Sequence, residues 1–211
     1  AGTTLTDAVN VAQLQAAVAS IPVVNFVSIK GDTTDGNYKN DGASGLKAIA
    51  IGANAVASGT KAIAEGYGAN AAGLSSLAIG DNAHAARANA VAIGANANAR
   101  NVQSIAIGGQ SIANESGSMA LGNGANAFYA HDLAIGNFAN AMVGRSVAIG
   151  KKATSKGESG VALGTEALSN GAYGVAIGYQ AQTVYSSGVA LGYRAKANLY
   201  GIAQGVEANA D

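Results

Sequence analysis

The segment Asn89-Ala90-Val91-Ala92-Ile93-Gly94 recurs fourteen positions later as Gln103-Ser104-Ile105-Ala106-Ile107-Gly108. The hydrophobic triplet and its glycine return along most of the 211-residue chain, and the middle residue of the triplet stays Ala. The glycines stand at positions 52, 66, 80, 94, 108, 122, 136, 150, 164, 178 and 192, and Gly205 follows one position early. A fixed period of this kind indicates a repeat protein in which each unit stacks on the next.

Each 14-residue unit contains two short segments in which large and small side chains alternate. The triplet is the first, and the second has small residues three and five positions after the glycine, as at Ala55 and Ala57. Alternation with a period of two indicates strands, and a unit of this length is too short for two helices. The sequence therefore predicts an all-β fold, a parallel β-solenoid whose twelve coils stack about 4.8 Å apart into a rod of roughly 55 Å.

The two faces of the first strand differ sharply in side-chain size. We expect its bulky Val, Ile and Leu to point inward, against the small residues of the second strand. The invariant middle Ala then faces outward, and a small residue repeated there indicates close contact with another copy of the chain. The predicted subunit contacts include Ala92, Ala106 and Ala148.

Two coils carry a polar residue where an inward Ile is expected, namely Glu65 and Gln204. A wetter coil near an end of the roll would explain them, and so would a polar contact with a neighbouring subunit. A buried carboxylate at position 65 would require a partner.

The first part of the chain, up to residue 45, lacks the repeat. A helix is predicted over residues 8–18, ended by Pro22. Its apolar residues are spaced as a coiled-coil seam, so partner helices are required, and the pattern allows a dimer or a trimer. The seam, a second set of predicted subunit contacts, includes Val11, Leu14, Val18 and Ile21.

Three regions follow from these patterns. Residues 1–22 form a neck with its short coiled-coil helix, and residues 23–45 form a connector with a strand over Val23–Ile29 and several turns. Residues 46–211 form the β-roll. Because recognisable motifs, the neck at one end and the repeat at the other, run to both ends of the chain, we expect the chain to be a fragment of a longer exported protein.

Composition narrows the function classes. The chain has 12 basic and 12 acidic residues, and this balance argues against nucleic acid as a partner. It has no cysteine, so neither a disulfide framework nor a thiolate metal site is expected. No apolar run is long enough to insert into a membrane as a helix.

Two motifs together resemble the trimeric autotransporter adhesins, in particular YadA-like heads. The repeat Arg145-Ser146-Val147-Ala148-Ile149-Gly150 is similar to the head pattern, and Thr6-Asp7-Ala8-Val9-Asn10-Val11-Ala12-Gln13-Leu14 is similar to the neck. The neck precedes the head here, which favours an internal segment of a long fibre. Where the family has Ser before the triplet, this chain often has another residue, as at Ala90, Asp132 and Gly160.

The resemblance implies a left-handed parallel β-roll, three rolls side by side in a homotrimer, and display on the outer membrane surface of a Gram-negative cell. It also implies attachment to collagen, fibronectin or laminin, to host cells or abiotic surfaces, and to sister cells. The competing hypothesis is a structural spacer that extends the fibre without a ligand of its own. An ice-binding solenoid is disfavoured because the outward column of the second strand has no regular Thr.

No catalytic, cofactor or metal residues are predicted. His84 and His131 lie several coils apart without carboxylates at ligand spacing, so each is interpreted as a solvated surface residue. Tyrosines on the rigid scaffold are the candidate binding residues. Tyr179 and Tyr193 share one column and should stack, and Tyr129 and Tyr185 share another. Packing between subunits, or a ladder that only stabilises the roll, is at least an equal alternative for all four.

Overall fold

A computed structural model describes residues 11–19 and 32–211 of the chain. The chain divides into two units, Ala1–Lys30 and Gly31–Asp211. In the first unit, helix α1 spans Val11–Ala19 and agrees with the predicted helix over the described residues. The predicted helix start, Ile21, Pro22 and the predicted strand over Val23–Ile29 lie outside the described residues.

The second unit is a parallel β-solenoid of twelve coils, as predicted. Each coil contributes a three-residue strand to sheet A and a two-residue strand to sheet B, so strand order in each sheet advances by two. Sheet A contains the odd-numbered strands β1 to β23, which are Ile49–Ile51, Ile63–Glu65, Leu77–Ile79, Val91–Ile93, Ile105–Ile107, Met119–Leu121, Leu133–Ile135, Val147–Ile149, Val161–Leu163, Val175–Ile177, Val189–Leu191 and Ile202–Gln204. Sheet B contains the even-numbered strands β2 to β24, which are Val56–Ala57, Asn70–Ala71, His84–Ala85, Asn98–Ala99, Ile112–Ala113, Asn126–Ala127, Asn140–Ala141, Thr154–Ser155, Leu168–Ser169, Gln182–Thr183, Lys196–Ala197 and Asn209–Ala210.

The register of the sheets reproduces the sequence period. Ala106 pairs with Ala92 on one side and Ala120 on the other, each one full period away in the chain. In the last coil Val189 pairs with Ile202, one position short of the period, which matches the early arrival of Gly205. Every residue therefore lies in a column of equivalent residues about 4.8 Å apart.

The repeated glycine is required by backbone conformation and by close approach. At Gly136 φ is 127°, and a Cβ atom there would lie 2.6 Å from the carbonyl oxygen of Gly150. Two residues later the chain turns through the left-handed region, with φ of 58° at Asn54 and 51° at Asn82. Asn tolerates this region better than most residues, which explains its predicted preference for this turn.

The interior of the roll consists mainly of small side chains, most of them Ala and Ser. In sheet B, Ala55 and Ala57 are fully buried, as predicted. In sheet A the predicted orientation is wrong, because the middle Ala of each triplet points inward and its bulky neighbours point outward. The two sheets approach so closely that a Cβ atom at Gly188 would lie 3.4 Å from the Ala197 Cβ across the coil. A coil of this length thus leaves room for methyl and hydroxyl groups but not for Ile or Leu.

The same reversal changes the interpretation of Glu65 and Gln204. Both lie in the outward third position of their strands and are exposed. Neither replaces a core residue, so Glu65 is not a buried carboxylate in the roll.

Residues 32–45 form turns that cover the first coil. The Ala57 N–H donates to the Gly42 carbonyl at 2.8 Å, and the Asn54 N–H donates to the Gly36 carbonyl at 2.7 Å. The Asn54 side-chain oxygen in turn accepts the Gly36 N–H at 2.8 Å. These bonds satisfy part of the backbone edge that an unpaired first coil would expose. The predicted boundary at residue 46 stays a prediction, but this segment packs directly on the roll.

The alanine interior makes a direct prediction for stability. Ala106→Leu should lower the free energy of unfolding by about 1–3 kcal/mol, because the added carbons have no space between the sheets. Ile107→Leu, one residue away on the outer face, is the matched control and should change it by less than about 0.5 kcal/mol. Denaturant unfolding measures both, and equal midpoints for the two variants would contradict the inward orientation of Ala106.

Candidate functional site

The outer face of sheet A carries two columns of aliphatic side chains. They are the first and third residues of each triplet, apart from Glu65 and Gln204, and they range from half-buried to exposed, with Ile107 at 38% and Leu163 at 40%. The columns run along twelve coils, which corresponds to about 50 Å. We call this surface the sheet A strip. Monomeric proteins rarely expose a continuous apolar patch of this extent, so the strip has the character of an interface.

The predicted subunit contacts in the roll are corrected by this geometry. Ala92, Ala106 and Ala148 are 0% exposed inside their own roll, so they are not available to another chain. A period-two pattern shows that two faces differ but leaves open which face is inside, and the size argument chose the wrong one. The residues that are available are their neighbours, such as Ile105 and Ile107.

In helix α1, the predicted contacts Val11 and Leu14 are 70% and 58% exposed. The side chain of Val18 lies outside the described part of the chain. Partners for this seam stay a prediction.

Tyr179 and Tyr193 form the predicted stack. Their ring centroids are 5.4 Å apart and the ring planes differ by 11°. The Arg194 guanidinium lies 5.0 Å from the Tyr193 ring centroid. Because one face of each ring is covered by the other ring, and Arg194 lies over Tyr193, this pair is suited to stabilising the roll.

A second side-chain ladder runs beside the tyrosines. Gln180 donates to the Glu166 carboxylate at 2.7 Å, and Arg194 donates to the Gln180 side-chain oxygen at 3.0 Å. Arg194 also lies 3.7 Å from Glu207 in the last coil. These contacts join four successive coils through residues of one column, a link that column spacing in the sequence could have indicated.

Tyr129 and Tyr185 share a column, as predicted, and are 56% and 59% exposed. Only Tyr129 lines the groove described next. The groove has a volume of about 490 Å³ and is open to solvent, and its lining comes from three successive coils: Tyr129, Ala130, His131, Val143, Gly144, Arg145 and Glu158. Sequence reasoning missed it because no single coil contains the set. His84 lies apart from it on the outer face of sheet B, half-buried.

The acidic side chains and histidines of the described residues do not cluster as metal ligands. Within residues 11–19 and 32–211, no three His, Asp or Glu side chains are placed to hold a metal ion. In the same part of the chain, no helix has the length and apolar character needed to cross a membrane. The pKa of the Asp32 carboxyl is lowered by hydrogen bonds from the Thr34 backbone, then from the hydroxyls of Thr34 and Thr33.

Comparison with known proteins identifies the repeat. The family model described as the YadA head domain repeat (2 copies) matches residues 43–69, 71–97, 99–125, 144–167 and 155–181, together more than half of the chain. Three chains of solved structures match. One is the collagen-binding domain of the Yersinia adhesin YadA, 34% identical over 72% of this chain and 75% of that chain, with a TM-score of 0.39. No curated protein matches significantly.

The tyrosine stack makes a prediction about the last coils. Tyr193→Ala should destabilise them by about 0.5–1.5 kcal/mol, because it removes the stacked partner of Tyr179. Tyr185→Ala is the matched control, an exposed tyrosine for which the described chain shows no stacked ring. Amide hydrogen exchange in strands β21 to β24 measures the effect. Equal protection in the two variants would contradict a stabilising role.

Proposed function

Because the chain belongs to the family of YadA head domains, which are adhesin heads and not enzymes, we propose that it acts as the head of a homotrimeric fibre on a bacterial surface. The sheet A strip carries this proposal. Its apolar side chains stay partly exposed in a single roll, and burial of that exposed area would contribute about 25 cal/mol per Å². The number three rests on the family, since two or three rolls could both cover such a strip.

The proposed trimer brings the three strips together around one axis. The middle alanines keep each roll thin, and the outward Val, Ile and Leu fill the space between rolls. Glu65 then lies in the interface near the first coils, where a wetter end of the roll and a polar contact with a neighbouring subunit are both explanations for it. The N-terminal helix, as a neck, would join its two counterparts through Val11, Leu14 and Val18.

The proposed activity is multivalent attachment. The outer face of sheet B and the turns stay outside such a trimer, and they carry most of the variable residues. The targets we propose are those that the family resemblance implies: collagen, fibronectin and laminin, host cells, abiotic surfaces and sister cells. Linking three weak sites can raise overall binding by roughly 10²–10⁴-fold without any new contact.

Assembly is tested first by mass in solution. The 211-residue chain without an added trimerisation tag should have three times the 20.5 kDa mass of one chain. Ile107→Glu should shift the mass toward the monomer, because it places a charge in the apolar interface of every subunit. Ile112→Glu is the matched control. It makes the same change in strand β10 of sheet B, which follows Ile107 in the chain, and it should leave the mass unchanged. A wild-type monomer, or identical behaviour of the variants, would contradict the strip as the interface.

Attachment is tested on immobilised collagen, fibronectin, laminin and polystyrene. The wild-type chain should bind at least one of these surfaces above a trimeric coiled coil without the roll. Ile107→Glu should bind that surface at least tenfold more weakly, because a monomer has no avidity. Binding no greater than that of the coiled coil on all four surfaces would instead favour the structural spacer, to which the regular stack of coils is equally suited.

A further inference from the structure

The groove beside Tyr129 lies where the regular pattern of turns is broken. Its lining comes from the turns that follow sheet B in three successive coils, at residues 128–131, 142–145 and 156–159. His131 and Arg145 occupy the same column, so their backbones are about 4.8 Å apart. Glu158 lies one coil further along, in the neighbouring column.

A buried carboxylate shapes this groove. Asp132 is 1% exposed and stands where Ser118 stands in the preceding coil. Both the N–H and the hydroxyl of Ser146 donate to Asp132 Oδ1 at 2.9 Å, and the Tyr129 N–H donates to Oδ2 at 2.8 Å. A polar group so deeply buried requires hydrogen bonds of this kind.

These hydrogen bonds replace the ordinary closure of the turn. In the regular coil, the N–H and the hydroxyl of Ser118 donate to the Glu115 carbonyl at 3.1 Å and 2.6 Å. In the turn over residues 143–146, two coils further along, the N–H and the hydroxyl of Ser146 donate to Asp132 instead of to the Val143 carbonyl. The turn over residues 143–146 is thereby held from the preceding coil rather than closed on itself.

The middle of this turn has no side chain. Gly144 has φ of 43°, and a Cβ atom built there would meet nothing within 4 Å. Tyr129 is 56% exposed and Val143 is 39% exposed, so an aromatic ring and an aliphatic side chain flank the open space. The groove therefore combines apolar walls with a backbone floor.

Two opposite charges face this space without neutralising each other. Arg145 and Glu158 are exposed, and within the described residues the one ion pair between side chains is Arg194 with Glu207. Arg145 can hold a carboxylate through two parallel hydrogen bonds. Glu158 can accept hydrogen bonds from hydroxyl groups.

We propose that this groove binds a sugar that carries a carboxylate. The carboxylate binds Arg145, the apolar C–H face of the ring lies against Tyr129, and ring hydroxyls donate to Glu158. An acidic peptide side chain would use Arg145 but offer no hydroxyl donors to Glu158. A volume of about 490 Å³ is within the usual range of small-ligand sites, roughly 300–1,000 Å³. The site goes beyond the proposed attachment to matrix proteins and does not depend on it.

The test uses the full 211-residue chain and four probes in NMR titrations. The probes are the methyl glycosides of glucuronic acid, galacturonic acid, N-acetylneuraminic acid and glucose, the last being the neutral control. At least one acidic sugar should bind about tenfold or more tightly than the glucoside, since only it engages Arg145. Equal or absent binding of all four overturns the proposal, as does tighter binding of a tetraglutamate peptide than of every sugar.

Two pairs of variants place the binding in the groove. Arg145→Gln should weaken binding of the acidic sugar at least fivefold, whereas Lys61→Gln, which removes an exposed cation from the same column six coils away, should not. Gly144→Asn should block the groove, because Asn tolerates the left-handed backbone and its side chain fills the open space. Ala172→Asn is its control, in the same column two coils further along. Unchanged binding by Arg145→Gln or Gly144→Asn contradicts the site.

A last variant separates the effect of Asp132 on the shape of the groove from its effect on the stability of the roll. Asp132→Ser should let Ser146 return to the ordinary turn closure, so the Ser146 amide resonance moves and sugar binding falls. The thermal midpoint should change little, since Ser already occupies this column in the neighbouring coils at Ser118 and Ser146. Full sugar binding by Asp132→Ser would show that Asp132 does not position the groove.

Discussion

The space between the two sheets of the coil governs the rest of this molecule. It is wide enough for the methyl group of Ala106 or the hydroxyl of Ser118 and too narrow for a branched aliphatic side chain. The apolar bulk of the chain must then lie outside the coil that carries it. A core that holds only small groups contributes little burial per residue, so the roll depends on the stacking of coils and on surfaces outside itself.

Stacking explains the other regularities. Each coil satisfies its backbone groups through the coils on either side, so the first coil needs the covering turns that include Gly36 and Gly42. Side chains repeat the arrangement, with Tyr179 on Tyr193 and with Glu166, Gln180 and Arg194 joined in a row. Because each contact reaches only to a neighbouring coil, stability in such a roll is nearly a sum of local terms.

The regular and the variable surfaces of the roll are suited to different functions. The sheet A strip is apolar in nearly every coil, with Glu65 and Gln204 as exceptions, and a regular apolar surface suits assembly of identical chains. The turns and the outer face of sheet B vary, and variation is where a rigid scaffold acquires binding identity. The groove beside Tyr129 belongs to this second kind of surface. It arises from one departure, a carboxylate at position 132 in place of a hydroxyl, together with a glycine at position 144.

The sequence by itself determined the coil length, the two strands of each coil, the parallel register and the turn glycines, because all of these follow from one period read along the chain. It also determined that Tyr179 and Tyr193 stack, since a shared column in adjacent coils places the two rings next to each other. The sequence did not determine which face of sheet A points inward. A period of two is the same whichever face is buried, and only the distance between the sheets decides that Ala106 is inside and Ile107 outside. The sequence did not predict the groove for a different reason: Tyr129, Arg145 and Glu158 come from three coils and lie together only when those coils are stacked.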